Sequence, residues 1–278
     1  MLVFDTETHT PAGLGQQLLV GGYLLASWRD DLRAYQVEQR GLFLPGKAPA
    51  DHRELVAHFA QTRSLKYLDQ EEFTRLLLQE GYELGSLVVG FNLPFDLSRI
   101  AVRWAPGRKA YRTGFTLWLF DAFSAPRIRV RTGPSPRAFI EWSSWKGHRK
   151  REGGRQVFRG RFLDLRRWAY AMGWGKLSLE EACRVAGVNY RKRAVAYGSL
   201  SENLLEYLLE DVEATWQLYL QLREDWNRLP FTPIPSPPLR PGARAEDTVD
   251  LHPDAVLPHR LQSPAGVAKS LLHRMGVR

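Results

Sequence analysis

Three strand-like segments, residues 1–7, 15–28 and 32–38, come before any helical pattern in this chain. The turn "WRDD" joins the second to the third, so the chain opens as a strand meander. Helical and strand patterns then alternate. "LDQEEFTRLLLQEGYEL" (68–84) has a helical period with an Asp near its start. "SLVVGF" (86–91) is a short apolar strand, and Pro94 suits the first turn of the helix that follows. Residues 115–123, 127–132, 136–142 and 156–164 carry strand patterns. Residues 177–187 read as a helix closed by Gly187, and 201–226 as a long amphipathic helix capped by Ser201. Strands first, then strands mixed with helices, predict an α/β layered domain rather than a bundle or a sandwich.

That domain is expected to span 1–228, with a basic β-hairpin insertion at about 111–163. The proline-rich text of 229–250 reads as an extended linker. Residues 251–278 read as a short extension with a helix at 263–276. The single cysteine, Cys183, makes no intrachain disulfide and allows no Cys/His zinc spacing, so it is expected as a small buried apolar residue. The longest apolar run, "LLVGGYLLASW", is too short to span a bilayer, and the N-terminus lacks a signal-peptide pattern. A cytoplasmic chain with no membrane partner is expected. A net charge of +9 suits a polyanionic partner, most simply nucleic acid, although Arg-rich coding would also raise it.

The first strand carries "FDTET", with Asp5 and Glu7 at i and i+2 on one face. Such a pair is either an exposed strand face or a site for divalent ions, which neutralise crowded carboxylates. Asp96, in "VVGFNLPFDLSRIA", lies in the first turn of a helix after a buried strand. It either favours the helix dipole or joins a site at the strand ends. In "EYLLEDVEATW", Tyr207 and Asp211 share a helix face, while Glu210 and Glu213 fall on other, solvated sides. By itself Tyr207 would read as a surface aromatic.

Taken in order, D-x-E, N-x2-F-D and Y-x3-D resemble the motifs of the DEDD exonucleases. The resemblance is to the tyrosine-bearing (DEDDy) branch, which includes the proofreading domains of DNA polymerases. It covers residues 1 to about 226, and "GFNLPFDLSRIA", "RFLDLRRWAYAM" and "YLLEDVEATWQLY" look most like the exonuclease part of family B polymerases. "SPAGVAKSLLHRMGV" resembles a segment that follows that part in some organellar and viral type B polymerases, while a palm motif of the Y-x-D-T-D kind is missing from the sequence. The resemblance implies an RNase H-like fold, a mixed sheet flanked by helices, and a metal-dependent 3′→5′ exonuclease that acts on 3′ ends of single-stranded or frayed DNA and releases nucleoside 5′-monophosphates. An RNA exonuclease, or a proofreading or binding domain of a larger polymerase, stands as the alternative.

It further implies two Mg²⁺ or Mn²⁺ ions about 3.5–4 Å apart. Asp5 would bridge them, Glu7 and Asp211 would complete the first site and Asp96 would hold the second. Tyr207 would orient the attacking water, because a phenol with a pKa of about 10 is a poor base at neutral pH. Thr6, Asn92 and Phe95 are the implied substrate contacts, with Asn92 bonding either the substrate or a neighbouring carboxylate and Phe95 either stacked on a base or in the core. Asp164 in "RFLDLRRW" is expected to be structural, or at most to support the site. In "KGHRKREGGRQVFRGR" (146–161), Arg149, Lys150, Arg151 and Arg155 form a Gly-bearing basic tip, either a solvated loop or a grip on phosphates. Trp142, Trp145 and Phe158 beside it could stack on unpaired bases, with Trp142 equally suited to the core.

Overall fold

The computed structural model describes residues 1–11, 15–108, 112–122, 125–132, 138–143 and 161–228. Arg149, Lys150, Arg151 and Arg155, with Trp145, Phe158, the linker and the C-terminal extension, lie outside the described residues.

The opening meander forms as the turn signals require. Strands β1 (Leu2–His9), β2 (Gln17–Arg29) and β3 (Ala34–Leu44) pair antiparallel. Helix α1 (Ala50–Thr62) returns the chain to β4 (Lys66–Asp69), which adds parallel to β3 at the sheet edge. Helix α2 (Gln70–Leu78) ends in a π-helical turn, Gln79–Glu83. Strand β5 (Leu87–Gly90) then pairs parallel to β1 and leads into α3 (Leu93–Ile100). Strands β6 (Arg103–Pro106), β7 (Phe115–Trp118), β8 (Ile128–Thr132) and β9 (Ala138–Trp142) make a separate antiparallel sheet. The main sheet is completed by β10 (Arg161–Asp164), parallel to β5, in the order β10-β5-β1-β2-β3-β4. Helices α4 (Leu165–Ala171), α5 (Leu179–Ala186) and α6 (Glu202–Arg228) follow. The protein is thus α/β, with a mixed sheet flanked by helices. Among the described residues, no helix is long and apolar enough to cross a membrane.

The elements that the patterning did not show are short or weakly amphipathic. β4, β6 and α4 span only one or two turns or pleats. Helix α1 buries only Val56, Phe59 and Ala60 and has no side-chain cap. The helix expected from residue 68 starts at Gln70, because Leu68 and Asp69 belong to β4. Asp69 caps it: the Glu72 N–H donates to Asp69 at 2.8 Å, and the Asp69 N–H donates to the Glu72 carboxylate at 2.8 Å.

Strand parity divides the core. Val3 and Val89 pack toward α4, α5 and α6, whereas Leu2, Phe4 and Val88 pack toward α2, α3 and the second sheet. Cys183 is buried on the α6 side as a small apolar residue. Trp142 belongs to the opposite core, where its indole N–H donates to the Gly81 carbonyl at 3.1 Å. Helix α6 lies close over the sheet. At Gly22, opposite Asp5 in the register, a Cβ would sit 3.0 Å from Leu208 and 3.3 Å from Val212. Leu208 is fully buried there, and truncating it to Ala would cost about 2–5 kcal/mol. This close seating brings the first three turns of α6 against Asp5 and Glu7 of β1.

Candidate active site

The same parity sorts the β1 side chains of the FDTET stretch. Asp5 and Glu7 follow Val3 toward α6, and Thr6 follows Phe4 toward α3. On α6, Tyr207 and Asp211 are one turn apart, opposite that pair. Oxygens of Asp5, Glu7 and Asp211 lie within 4.8 Å of one another. Three carboxylates from the two ends of the domain therefore converge at a spacing one ion could share.

Asp96 is placed from the other side. Asn92 adopts the left-handed region (φ 76°) before α3, and Pro94 occupies the first turn. Asp96 in that turn is buried, and the Thr6 hydroxyl donates to its Oδ1 at 2.8 Å. Its Oδ2 is buried with no hydrogen-bond partner among the described residues, and Asp5, another carboxyl, lies beside it. Asp164 stands behind this turn. Its Oδ1 accepts from the backbone N–H groups of Asn92 and Arg166, both at 3.1 Å, and its Oδ2 accepts from Arg167 Nε at 2.9 Å. Its role is to clamp the strained Asn92 backbone and to cap α4, in keeping with the structural role expected of it.

All four site carboxyls resist ionisation. Burial, then Asp96, Asp211 and Glu7, hold Asp5 well above the usual carboxylate range. Burial with Asp211 pushes Glu7 up to about 7, against the opposing pull of Lys192. Burial raises Asp96, against the Thr6 hydrogen bond. Burial also raises Asp211, against the hydroxyls of Tyr190 and Tyr207 and the charge of Lys192. Crowded acids of this kind gain most from a bound cation, whose charge reverses each of these shifts.

A cavity of about 440 Å³ opens over the acids and is also lined by Asn92, Phe95, Ser178, Lys192 and Tyr197. Phe95 is half-buried at its wall, with the Arg99 guanidinium 4.8 Å from its ring centre. Tyr207 is almost wholly buried, and burial together with Asp211 raises its phenol far above the ordinary value. Glu210 and Glu213, expected in solvent, are partly exposed and pair with Arg193 at 2.6 Å and Arg40 at 3.0 Å.

Residues 188–200 supply what the motif reading missed. The Tyr190 hydroxyl donates to Asp211 Oδ1. Lys192 Nζ lies 5.5 Å from the ring centre of Tyr207 and 5.9 Å from that of Tyr197. Arg193 fastens the segment to α6 through Glu206 and Glu210. The signal was its length: a structureless run of this size between two helices in a packed domain is commonly functional.

The fold and the site thus define an α/β protein with a cavity of crowded acids, contributed by its first strand, α3 and α6. No protein-family model matches the chain, and a search of curated proteins finds no match.

Proposed function

We propose that the protein is a metal-dependent 3′→5′ exonuclease with an RNase H-like fold, which trims single-stranded or frayed DNA to nucleoside 5′-monophosphates. The observation that carries this is the convergence of Asp5, Glu7 and Asp211 within 4.8 Å, at a cavity that Asp96 and Tyr207 also line. The order and identity of these residues are those of the DEDDy motifs. The mixed sheet with flanking helices is compatible with the fold such enzymes use.

The residues fit a pair of divalent ions. Asp5, Glu7 and Asp211 would hold one, and Asp5 with Asp96 the other; the unmatched Oδ2 of Asp96 is available for that purpose. When bound, Mg²⁺ or Mn²⁺ neutralises charge on the attacking and leaving oxygens and lowers the pKa of water. The protein's own groups set the geometry. Thr6 fixes the Asp96 carboxyl. Tyr190 fixes Asp211. The Tyr207 phenol, with its pKa raised by burial, keeps its proton and orients water by hydrogen bonding. Asn92 and Phe95 border the space for the terminal nucleotide.

The test is incubation of 5′-labelled single-stranded DNA, and RNA of the same sequence, with Mg²⁺, Mn²⁺ or chelator. Stepwise shortening of DNA that chelator stops is expected. Shortening of RNA alone would reassign the substrate, and no shortening of either strand would refute the activity.

A further inference from the structure

Beside the acidic cavity lies a second, larger groove of about 840 Å³. Three elements run from one into the other. β1 gives Glu7 and Thr8 to the first and His9 to the second. Helix α3 gives Phe95 and Asp96 to the first and, a turn later, Arg99 to the second. The chain before α6 gives Tyr197 to the first and Gly198 to the second. The two spaces are therefore neighbours along these three elements.

Their chemistry is opposite. The first gathers four carboxyls. The second has no Asp or Glu in its described lining, which includes Lys47, His52, Arg99 and His9. His9 Nδ1 is buried there with no hydrogen-bond partner among the described residues. An edge strand of the small sheet, β6, adds Trp104, which is 68% exposed. A large aromatic left this open, beside cations and an unmatched imidazole nitrogen, is the combination that binds unpaired nucleic acid: a π-face for a base and cations for phosphates.

We propose that the groove of His9, Lys47, His52, Arg99 and Trp104 is a single-stranded DNA subsite, holding nucleotides on the 5′ side of the terminal one. The choice of DNA as ligand rests on the exonuclease proposed above; the groove itself rests on its lining. Lys47 and His52 contact phosphates, and Trp104 stacks on a base. The subsite gives affinity without sequence preference, because every base presents a π-face and every linkage a charge.

The experiment measures binding of an end-labelled twelve-nucleotide single-stranded DNA to the full chain in chelator, by fluorescence anisotropy across a salt series. Trp104→Ala should weaken binding roughly 5- to 100-fold. Trp104→Phe should recover most of that loss. Lys47→Ala should lower the log–log salt slope by about 0.7. Both positions are exposed, and unchanged urea midpoints would show that the fold is kept. Wild-type affinity in Trp104→Ala, or an unchanged salt slope in Lys47→Ala, would overturn the subsite. Hydrolysis is measured separately on the wild-type chain. Binding that the variants lose, without hydrolysis by the wild type, would uphold the groove and refute the nuclease. Hydrolysis with unchanged binding in the variants would do the reverse.

Discussion

Replacing Glu7 by Gln should stabilise the metal-free protein at alkaline pH while lowering any hydrolysis it performs. The Glu7 carboxyl titrates at about 7 in the fold against an ordinary 4.5, chiefly through burial, with Asp211 adding and Lys192 opposing. A carboxyl raised in this way binds its proton more tightly when folded than when unfolded. Its contribution to stability is complete below the unfolded value of 4.5 and is lost as pH rises through about 7. At about 1.36 kcal/mol per tenfold change in proton affinity, keeping Glu7 ionised in the fold costs roughly 3 kcal/mol. Gln has nearly the same shape and cannot ionise. Urea denaturation in chelator should therefore find the variant roughly 1–3 kcal/mol more stable at high pH, with the difference fading toward the acid end of the window. Adding Mg²⁺ at high pH should then raise wild-type stability more than that of the variant. A variant no more stable at high pH, or equally favoured at both ends, would show that the fold does not hold the Glu7 carboxyl above its ordinary value.

Tyr207→Phe keeps the buried ring and loses the hydroxyl, so hydrolysis should fall by about 1–3 kcal/mol in transition-state stabilisation, with the fold retained and stability changed by no more than about 1.5 kcal/mol. Steady-state rates beside a urea midpoint check this. Tyr190→Phe removes the donor that steadies Asp211, so the Mg²⁺ concentration for half-maximal rate should rise about tenfold. Lys192→Met removes the cation that draws down Glu7 and Asp211. Their pKa values should rise, and the acid limb of the pH–rate profile should move to higher pH, leaving the variant roughly 3–10-fold slower at its foot.

Much of the site could be read from the sequence because its parts sit on strongly patterned elements. Asp5 and Glu7 share a face because strand side chains alternate, and Tyr207 and Asp211 because a helical turn separates them. The convergence of the two pairs could not be read, since it depends on α6 seating against Gly22 across the sheet. Thr6, singled out as a substrate contact, has its hydroxyl on Asp96, a partner ninety residues away that no local pattern discloses. Tyr190 and Lys192 escaped because they lie on a segment without helical or strand period. Asp164 is a contrasting case. As the last residue of a strand it read as structural, and it holds the Asn92 backbone without entering the cavity lining. Helix α1 was missed for a simpler reason: charges interrupt its apolar stripe, and packing rather than pattern keeps it helical.

In the proposed exonuclease, Asp5 and Asp211, from opposite ends of the domain, act together on one phosphodiester. The direct measurement is the rate of 3′-terminal release from end-labelled single-stranded DNA, with Mg²⁺ or Mn²⁺, for wild type, Asp5→Ala and Asp211→Ala. Circular dichroism would establish that each variant is folded. Release by the wild type that chelator stops, and loss of nearly all of it in each variant, are the expected results. Near-wild-type release in either folded variant would contradict this joint action.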